Sequence, residues 1–283
     1  MAPFSSFALI GVGTIGSFVA TELLKQKNVS VKLFTRDDTK PELEPFKQQG
    51  AVIVKVDYSN HEELKKALSG VQVVVSTVSH SFLEGQVDIG RAAKEAGVQL
   101  FVPSEYGVAT LEGFEAPKQV VRDALEEMQL PYTIFLPGFF ADIFHTFFDF
   151  NYAEGYIHVY GTGKSKMSLT SRVDVARFMS HVLTTAEPVD LAWATLSFEG
   201  DRLAPLDIAA LAEKKLGKPI AIKYHDYAET KAKAESDFRA FLAVLAEDGK
   251  GLAGTVDEVQ RTIAKFFPAW SPQKYDALFI PSA

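Results

Sequence analysis

The chain of 283 residues is long enough to bury a full hydrophobic core, and its 47% hydrophobic and 23% charged residues are typical of a globular protein. Its formal net charge of −7 disfavours nucleic-acid binding, which needs clustered Lys and Arg to neutralise phosphates, so we expect no nucleic-acid partner. The absence of cysteine excludes disulfides, thiolate metal sites and a cysteine nucleophile. No cluster of His, Asp and Glu has metal-ligand spacing, and we therefore expect no metal.

No segment of the sequence resembles a secretion signal or a membrane span. The start, MAPFSSF, lacks the basic residues and the long apolar run of a signal peptide. The most apolar stretch, residues 132–150, is interrupted by Pro137, Gly138, Asp142, His145 and Asp149, which a membrane span tolerates poorly. We therefore expect no membrane partner and a cytoplasmic location, and we interpret this stretch as core and pocket wall.

Short β-rich runs alternate with helix-like segments along the first half of the chain. Strands are predicted at 7–10, 30–34, 51–56, 72–76, 98–102 and 132–136, and helices at 14–27, 41–48, 61–68, 84–96 and 117–129. The alternation predicts an α/β fold with a Rossmann-type, doubly wound parallel sheet. The strands are continuous apolar runs, as expected when helices cover both faces of the sheet.

After residue 150 the pattern becomes irregular, with turns at Gly155, Gly161 and Gly163 and helices predicted at 172–186, 205–216 and 228–247. We therefore predict a Rossmann domain over residues 1–150 and a smaller, mostly helical part over residues 151–283 that completes a cleft. Segments up to about residue 200 are expected to complete the sheet of the first domain.

Three glycines follow the first predicted strand at the spacing G-x-G-x-x-G. Gly11 permits a tight turn, Gly13 lets a pyrophosphate approach the backbone, and Gly16 allows a helix to pack closely on a strand. The helix start, which includes Thr14 and Ile15, offers N–H groups and a positive dipole end to phosphates. Because the motif stands first in a βαβ series, it predicts that residues 1–150 bind NAD(P). The alternative is a glycine-rich loop that serves only the chain geometry.

The end of the second predicted strand bears on the choice of cofactor. A carboxylate at this place selects NAD by accepting hydrogen bonds from the ribose, but the sequence has Thr35 and Arg36. The planar guanidinium of Arg36 can pair with a 2′-phosphate, with Lys40 or Lys47 as a second positive charge, which favours NADPH. The alternative is an exposed arginine that pairs with the neighbouring aspartates. Asp57, just past the third strand, is interpreted as a residue near the adenine or at a helix N-terminus.

Several longer motifs carry a resemblance to a known family. They are GVGTIG (11–16), FTR (34–36), VDYSNHEELKKALSGVQVVVST (56–77), AAKEAGVQLFVPSEYG (92–107), KQVVRDALEEMQLPYTIFLPGFF (118–140) and SRVDVARF (171–178). Their order and spacing from about residue 7 to about residue 180 resemble the NmrA-like and isoflavone-reductase-like group. These proteins are atypical short-chain dehydrogenases that include plant reductases of phenolic ethers and isoflavones.

The resemblance implies roles for individual residues. Lys118 matches the lysine that holds the nicotinamide ribose and serves as general acid/base, with a solvated helix lysine as the alternative. The remaining implied cofactor contacts are Ser76, Thr77 and Ser79 under the ribose and nicotinamide, Pro103 and Ser104 beside the nicotinamide, and Pro137, Gly138 and Phe139 over it.

The chain departs from the Tyr-x-x-x-Lys pair of ordinary short-chain dehydrogenases, because Thr110 stands four residues after Tyr106. Tyr106 and His80 are candidate catalytic residues, and His145 is a candidate acid or base in the pocket; packed or hydrogen-bonded core residues are the alternative. The expected substrate pocket, largely aromatic, comprises Glu105, Tyr106, Phe139, Phe140, Phe144, His145 and Phe148.

These observations predict an NADPH-dependent reductase of a small aromatic or conjugated substrate in secondary metabolism, with Lys118 moving the proton. The substrate carbon would belong to an enone, an imine or a benzylic ether. One alternative is an NmrA-like regulator that senses NAD(P) without turnover. The other is a non-redox or cyclising biosynthetic enzyme on the same fold.

Overall fold

In this computed structural model, which describes residues 2–280, five short strands form a parallel sheet. Their order across the sheet is β3 (Val52–Lys55), β2 (Ser30–Thr35), β1 (Ser6–Ile10), β4 (Val73–Ser76) and β5 (Leu100–Val102). The chain starts in the middle of the sheet, runs outward through β2 and β3, and then crosses back to β4 and β5. Ile10 at the end of β1 lies opposite Phe34 on one side and Ser76 on the other. The carboxyl ends of three strands therefore meet at one edge, where the strand order reverses.

The secondary-structure elements have the following bounds. The strands are β1 (Ser6–Ile10), β2 (Ser30–Thr35), β3 (Val52–Lys55), β4 (Val73–Ser76), β5 (Leu100–Val102), β6 (Thr133–Leu136), β7 (Phe139–Phe140), β8 (Tyr156–Tyr160), β9 (Met167–Thr170), β10 (Ala194–Ser197), β11 (Asp201–Leu203) and β12 (Ala221–His225). The helices are α1 (Gly16–Leu24), α2 (Glu44–Gln48), α3 (His61–Ala67), α4 (Gln86–Glu95), α5 (Pro117–Glu127), α6 (Ala141–Phe147), α7 (Arg172–Thr185), α8 (Pro188–Leu191), α9 (Pro205–Leu216), α10 (Tyr227–Lys233), α11 (Phe238–Glu247), α12 (Val256–Phe266) and α13 (Tyr275–Phe279).

The chain divides into two compact units. The first contains the residues up to Glu105 together with Ala116–Phe135 and Val175–Leu196. The second contains Tyr106–Glu115, Leu136–Asp174 and the chain from Ser197 onward. Both units are discontinuous, whereas we predicted a single boundary near residue 150. Residues 175–196 return to the first unit.

The first unit is the predicted Rossmann-type α/β fold. Helix α1 packs on β1, β2 and α2, while α3, α4 and α5 contact one another in series. A parallel bridge between Phe101 and Tyr132 continues the sheet beyond β5, and β6 pairs with β10. The strand residues Phe7, Leu33 and Phe34 are completely buried, because helices on both faces leave no side of the sheet in water.

The second unit contains more strands than we predicted. In a three-stranded sheet, β7 runs parallel to β9 and β11 runs antiparallel to it, and β8 pairs with β12 in a separate parallel ribbon. The C-terminal part is mostly helical, as expected, but the prediction missed these strands. These strands are only two to five residues long. The burial of β8 alternates over five residues, whereas that of β12 does not, so the periodic signal is too short to predict them.

The prediction of a single helix over 228–247 was wrong, because two helices occupy this segment. The backbone leaves the helical region at Asp237, whose side chain accepts hydrogen bonds from the backbone N–H groups of Arg239 and Ala240 at 2.8 and 3.1 Å. A carboxylate in this position satisfies N–H groups that a helix start leaves without partners. It thereby begins α11 as a helix separate from α10.

Candidate dinucleotide site

A cleft of about 370 Å³ opens at the edge of the sheet where the strand order reverses. Its walls come from the loops that follow β1, β2, β3 and β4, and all of them belong to the first unit. The lining residues are Gly11, Val12, Gly13, Phe34, Thr35, Arg36, Lys40, Tyr58, Thr77, Val78, Ser79, Ser81 and Phe82. Doubly wound sheets bind ligands at this position, outside the carboxyl ends of the strands.

The three glycines of the predicted turn differ in their surroundings. Gly11 has φ +90°, a conformation that L side chains rarely adopt, and the Thr77 carbonyl oxygen would lie 2.9 Å from an added Cβ. At Gly16 an added Cβ would clash with the Gly11 carbonyl oxygen and the Thr77 hydroxyl. At Gly13, by contrast, it would meet no described atom within 4 Å. The first and third glycines thus serve the chain geometry, while the second faces open space.

Thr77 connects the end of β4 to the glycine turn. Its backbone N–H donates to the Ile10 carbonyl oxygen at 2.8 Å. Its hydroxyl lies 3.2 Å from the same oxygen and donates to the Gly11 carbonyl oxygen. Thr77 is 7% exposed, so these bonds are shielded from water. The turn is therefore held against the neighbouring strand.

The cationic part of the cleft wall is formed by Arg36 and Lys40, and both residues are exposed. The neighbouring aspartates have other partners, contrary to the alternative that they neutralise Arg36. Asp37 accepts hydrogen bonds from the backbone N–H and the hydroxyl of Thr39 at 3.0 and 2.6 Å, and Asp38 lies 3.8 Å from Lys55.

Of the two lysines considered as the second positive charge, Lys40 lines the cleft. Lys47 lies on α2 and pairs with Glu44 at 3.7 Å. The structure thus distinguishes two residues that the sequence left equivalent.

Tyr58 and Phe82 line the cleft, and neither was predicted from the sequence. Their ring centroids are 6.3 Å apart, and burial raises the pKa of Tyr58 to about 12, against the opposing effect of the Arg36 charge.

Asp57, which we predicted near the adenine or at a helix N-terminus, forms a local turn by accepting hydrogen bonds from the backbone N–H and the hydroxyl of Ser59. These bonds lower the pKa of Asp57, and Asn60 is the cap of α3. The sequence feature that could have identified Tyr58 is its position as an aromatic residue directly after Asp57.

The remaining predicted residues after β4 fall into two groups. Thr77 and Ser79 line the cleft, and the Ser79 hydroxyl lies 3.0 Å from the Ser81 hydroxyl. Ser76 is completely buried in β4, and His80 is exposed at the start of a short 3₁₀ turn over residues 80–82. A catalytic role of His80 stays a prediction.

The turn after β5 is held from two directions. The backbone N–H of Ser104 donates to the Gln86 side chain at 2.8 Å, and the Ser104 hydroxyl donates to the Val78 carbonyl oxygen at 2.9 Å. Glu105 is 1% exposed, and both of its carboxylate oxygens accept hydrogen bonds from Arg122 on α5. The carboxylate that we assigned to a substrate pocket is therefore engaged in an ion pair inside the first unit.

Lys118 stands in the first turn of α5, directly after Pro117. Only 7% of Lys118 is exposed, and it shares the buried face of the helix with Val121 and Leu125. The alternative of a solvated helix lysine is therefore wrong. Its contact with a cofactor, like that of Pro103 and Ser104, stays a prediction.

The other predicted residues lie in the second unit, which we describe by itself. Phe144 and Phe148 are each 4% exposed and belong to its hydrophobic core, so they pack among apolar side chains. Phe139 and Phe140 are half-buried, and so are Tyr106 and His145. Burial lowers the pKa of His145.

Gly138 has φ +77°, and an added Cβ would clash with the backbone of Ser168. The predicted contacts of the second-unit residues, Pro137 included, with cofactor or substrate stay predictions.

One group within residues 2–280 has the composition of a metal site. The ligand atoms of His61, Glu62 and Glu95 lie within 4.8 Å of one another on the surface of the first unit. Lys65 lies 2.8 Å from Glu95 and already places a positive charge there. We assign no metal to this cluster.

The sheet order, the glycine turn and the open cleft define a Rossmann-type protein with the form of a dinucleotide site. The model of the NmrA-like family matches residues 8–264, and the chain belongs to this family. Among the described helices, none has both the length and the apolar character needed to cross a membrane.

The relatives include plant reductases. The chain is 29% identical over 270 residues to phenylcoumaran benzylic ether reductase PT1 of Pinus taeda, covering 86% of each chain. It is 33% identical over 148 residues to isoflavone reductase homolog A622 of Nicotiana tabacum, and this match spans 47% of the chain and about half, 48%, of that relative. Among solved structures, the complex of leucoanthocyanidin reductase with NADPH from Vitis vinifera superposes with a TM-score of 0.83. It covers 96% of this chain and 97% of that one at 22% identity, which supports the fold.

Proposed function

We propose that this protein is an NADPH-dependent reductase of a small aromatic or conjugated molecule, such as an enone, an imine or a benzylic ether. The observation that carries the proposal is the contrast between the glycines of the turn. Gly11 and Gly16 are packed against Thr77, whereas Gly13 faces the open cleft. A glycine that the fold does not need for packing is the one expected to admit a ligand to the backbone.

The residues of the cleft fit the charges of NADPH. The pyrophosphate would lie at Gly13 and the start of α1, where Ile15 provides no side-chain oxygen to cap the helix and the dipole favours an anion. The 2′-phosphate would pair with Arg36, with Lys40 as the second cation. Bound NADPH would supply a hydride to the substrate carbon.

Lys118 is assigned the proton that accompanies this hydride. An ammonium group can donate a proton to the substrate as negative charge develops on it. The burial of Lys118 in the first turn of α5 supports a role that a surface lysine would not have. Related proteins are named as reductases, which supports this activity over a non-redox one.

The test is a paired titration of the purified protein with NADPH and NADH, with NADP⁺ as a third ligand. We expect Arg36→Ala to weaken NADPH binding by about 10- to 100-fold, since a hydrogen-bonded charge contributes about 1.5–3 kcal/mol, and to change NADH binding little. Lys47→Ala, which removes a nearby lysine paired with Glu44, is the matched control and should leave both affinities unchanged.

Equal losses for the two cofactors in Arg36→Ala would remove the case for NADPH preference. A marked preference for NADP⁺, together with no oxidation of NADPH by a panel of aromatic enones, imines and benzylic ethers, would favour the sensing regulator instead.

A further inference from the structure

The ion pair between Glu105 and Arg122 is largely enclosed within the first unit. The Arg122 Nε lies 2.8 and 3.1 Å from the two carboxylate oxygens, and the Nη2 group also donates to the carboxylate. The side chains are 1% and 17% exposed. Burial disfavours the charged guanidinium, but the hydrogen bonds and charge of Glu105 outweigh it and raise the pKa of Arg122. The guanidinium of Arg122 therefore stays charged in a largely enclosed site.

The pair joins the two places where the chain leaves and re-enters the first unit. The chain departs after Glu105 and returns at Ala116, one residue before α5 begins. Arg122 and Lys118 are four residues apart on α5 and so lie one above the other on the same side of the helix. Since the ten intervening residues belong to the other unit, the ion pair is a direct link between the end of the β5 turn and the helix that carries Lys118.

The Glu105 end of this link is itself immobilised. The preceding residue, Ser104, is hydrogen-bonded to Gln86 and to the Val78 carbonyl oxygen, and Val78 lines the cleft. Gln86 is completely buried and donates in turn to the Leu83 carbonyl oxygen at 3.0 Å. Because the Glu105 backbone is held in this way, its ion pair with Arg122 restricts the orientation of α5.

We propose that the Glu105–Arg122 ion pair positions Lys118 relative to the cofactor cleft, so that both are positioning residues for its amine. The expected effect of the ion pair on turnover rests on the proposed reductase function. A buried ion pair contributes little net stability compared with apolar residues of the same shape, so the role assigned to this pair is the orientation of α5 and not stability. Displacing a reacting group by about 1 Å costs about 100-fold in rate.

The test uses two single variants and their combination. Glu105→Gln and Arg122→Met each leave one buried charge without a partner and are expected to destabilise the fold. The double variant removes both charges and is expected to recover much of the thermal stability. Arg91→Met, which removes an exposed ion pair with Asp88 on α4, is the matched control.

Two readouts are needed. The first is the rate at which an amine-acylating reagent labels Lys118 across a pH series, measured by peptide mass spectrometry without any substrate. The second is kcat and KM for NADPH. In the double variant we expect the Lys118 labelling rate to change at least about threefold, kcat to fall about tenfold or more, and KM for NADPH to change less than about twofold. The control should match the natural protein in every readout.

Lys118 labelling and kcat equal to those of the natural protein, in a folded double variant, would overturn the proposal. If the double variant fails to fold, Arg122→Lys decides in its place. It keeps the charge but loses the fork that binds both oxygens, so it should shift the labelling rate in the same direction. If the natural protein turns over no substrate, the proposed reductase fails, and the labelling still decides whether the ion pair positions Lys118.

Discussion

The Thr77 hydroxyl donates a hydrogen bond to the Gly11 carbonyl oxygen, and these two groups together leave no room for a side chain at position 16. The bond joins the turn after β1 to the end of β4, the two strands between which the sheet order reverses. The floor of the cleft is thus held by the fold itself, and Gly13 is left facing the opening.

Alanine at Gly16 should affect mainly folding stability, whereas alanine at Gly13 should affect mainly cofactor binding. Gly16→Ala forces a Cβ into the Gly11 carbonyl and the Thr77 hydroxyl, and we expect it to lower the free energy of unfolding by about 1–3 kcal/mol. Gly13→Ala places its Cβ in open space, so the free energy of unfolding should stay within about 0.5 kcal/mol of the natural value while NADPH binding weakens. Urea unfolding and NADPH titration of both variants check this pair. Unchanged NADPH affinity in Gly13→Ala would contradict the placement of the pyrophosphate.

Replacing Lys118 by methionine should separate chemistry from folding. Lys118→Met keeps the buried aliphatic stem and removes the ammonium group, so we expect the protein still to fold. NADPH turnover should fall about 100- to 10,000-fold, the usual contribution of a positioned acid or base. Lys94→Met, which changes an exposed lysine that donates to the Gln129 carbonyl oxygen, provides the control for loss of a lysine. Turnover that survives in Lys118→Met would place the proton donor elsewhere.

Acid should destabilise the second unit through a histidine pair. The Nδ1 of His158 on β8 lies 2.6 Å from the Nε2 of His225 on β12, a contact that needs at least one unprotonated nitrogen. Burial, followed by the charges of His225 and Lys223, lowers the pKa of His158 below its ordinary value of 6.5. The unfolded chain then binds more protons than the folded chain, so stability decreases as the pH falls below about 6.5.

We expect the free energy of unfolding from urea titrations to decrease between about pH 7 and pH 5. Burial also lowers the pKa of His145 and His181, so part of the dependence should persist without His158. His158→Gln should reduce the slope, and the same titration at pH 8, where ordinary histidines are neutral, measures the cost of the substitution itself. An unchanged slope in His158→Gln would rule out this histidine as a source of the acid sensitivity.

The start of α11 should depend on one carboxylate. Asp237→Ala removes the acceptor for the backbone N–H groups of Arg239 and Ala240, and we expect a loss of about 1 kcal/mol in the free energy of unfolding. Asp237→Asn retains an acceptor oxygen and should lose much less. Equal losses in the two variants would mean that the charge, and not the capping hydrogen bond, stabilises this helix.

Much of the first unit could be predicted because its signals are local. The strand predicted at 7–10 is observed as Ser6–Ile10, and the helix predicted at 117–129 is observed as Pro117–Glu127. A strand buried on both faces must be apolar throughout, and a helix buried on one face must repeat its apolar residues with a helical period. The ribbon of β8 and β12 was not predicted, because β8 alternates over only five residues, β12 does not alternate, and each strand pairs with a partner far away in the chain.

The glycine spacing, the strand–helix alternation and the family motifs were legible in the sequence by itself, since neighbouring residues suffice to encode a turn or an apolar face. Only the tertiary structure decided which lysine lines the cleft beside Arg36, that Tyr58 accompanies it, and that Glu105 binds Arg122. Each of these depends on side chains from separate loops or helices meeting in space. The sequence does not indicate which residue a charged side chain will pair with, because the partner is selected by packing and by the cost of burying an unpaired charge.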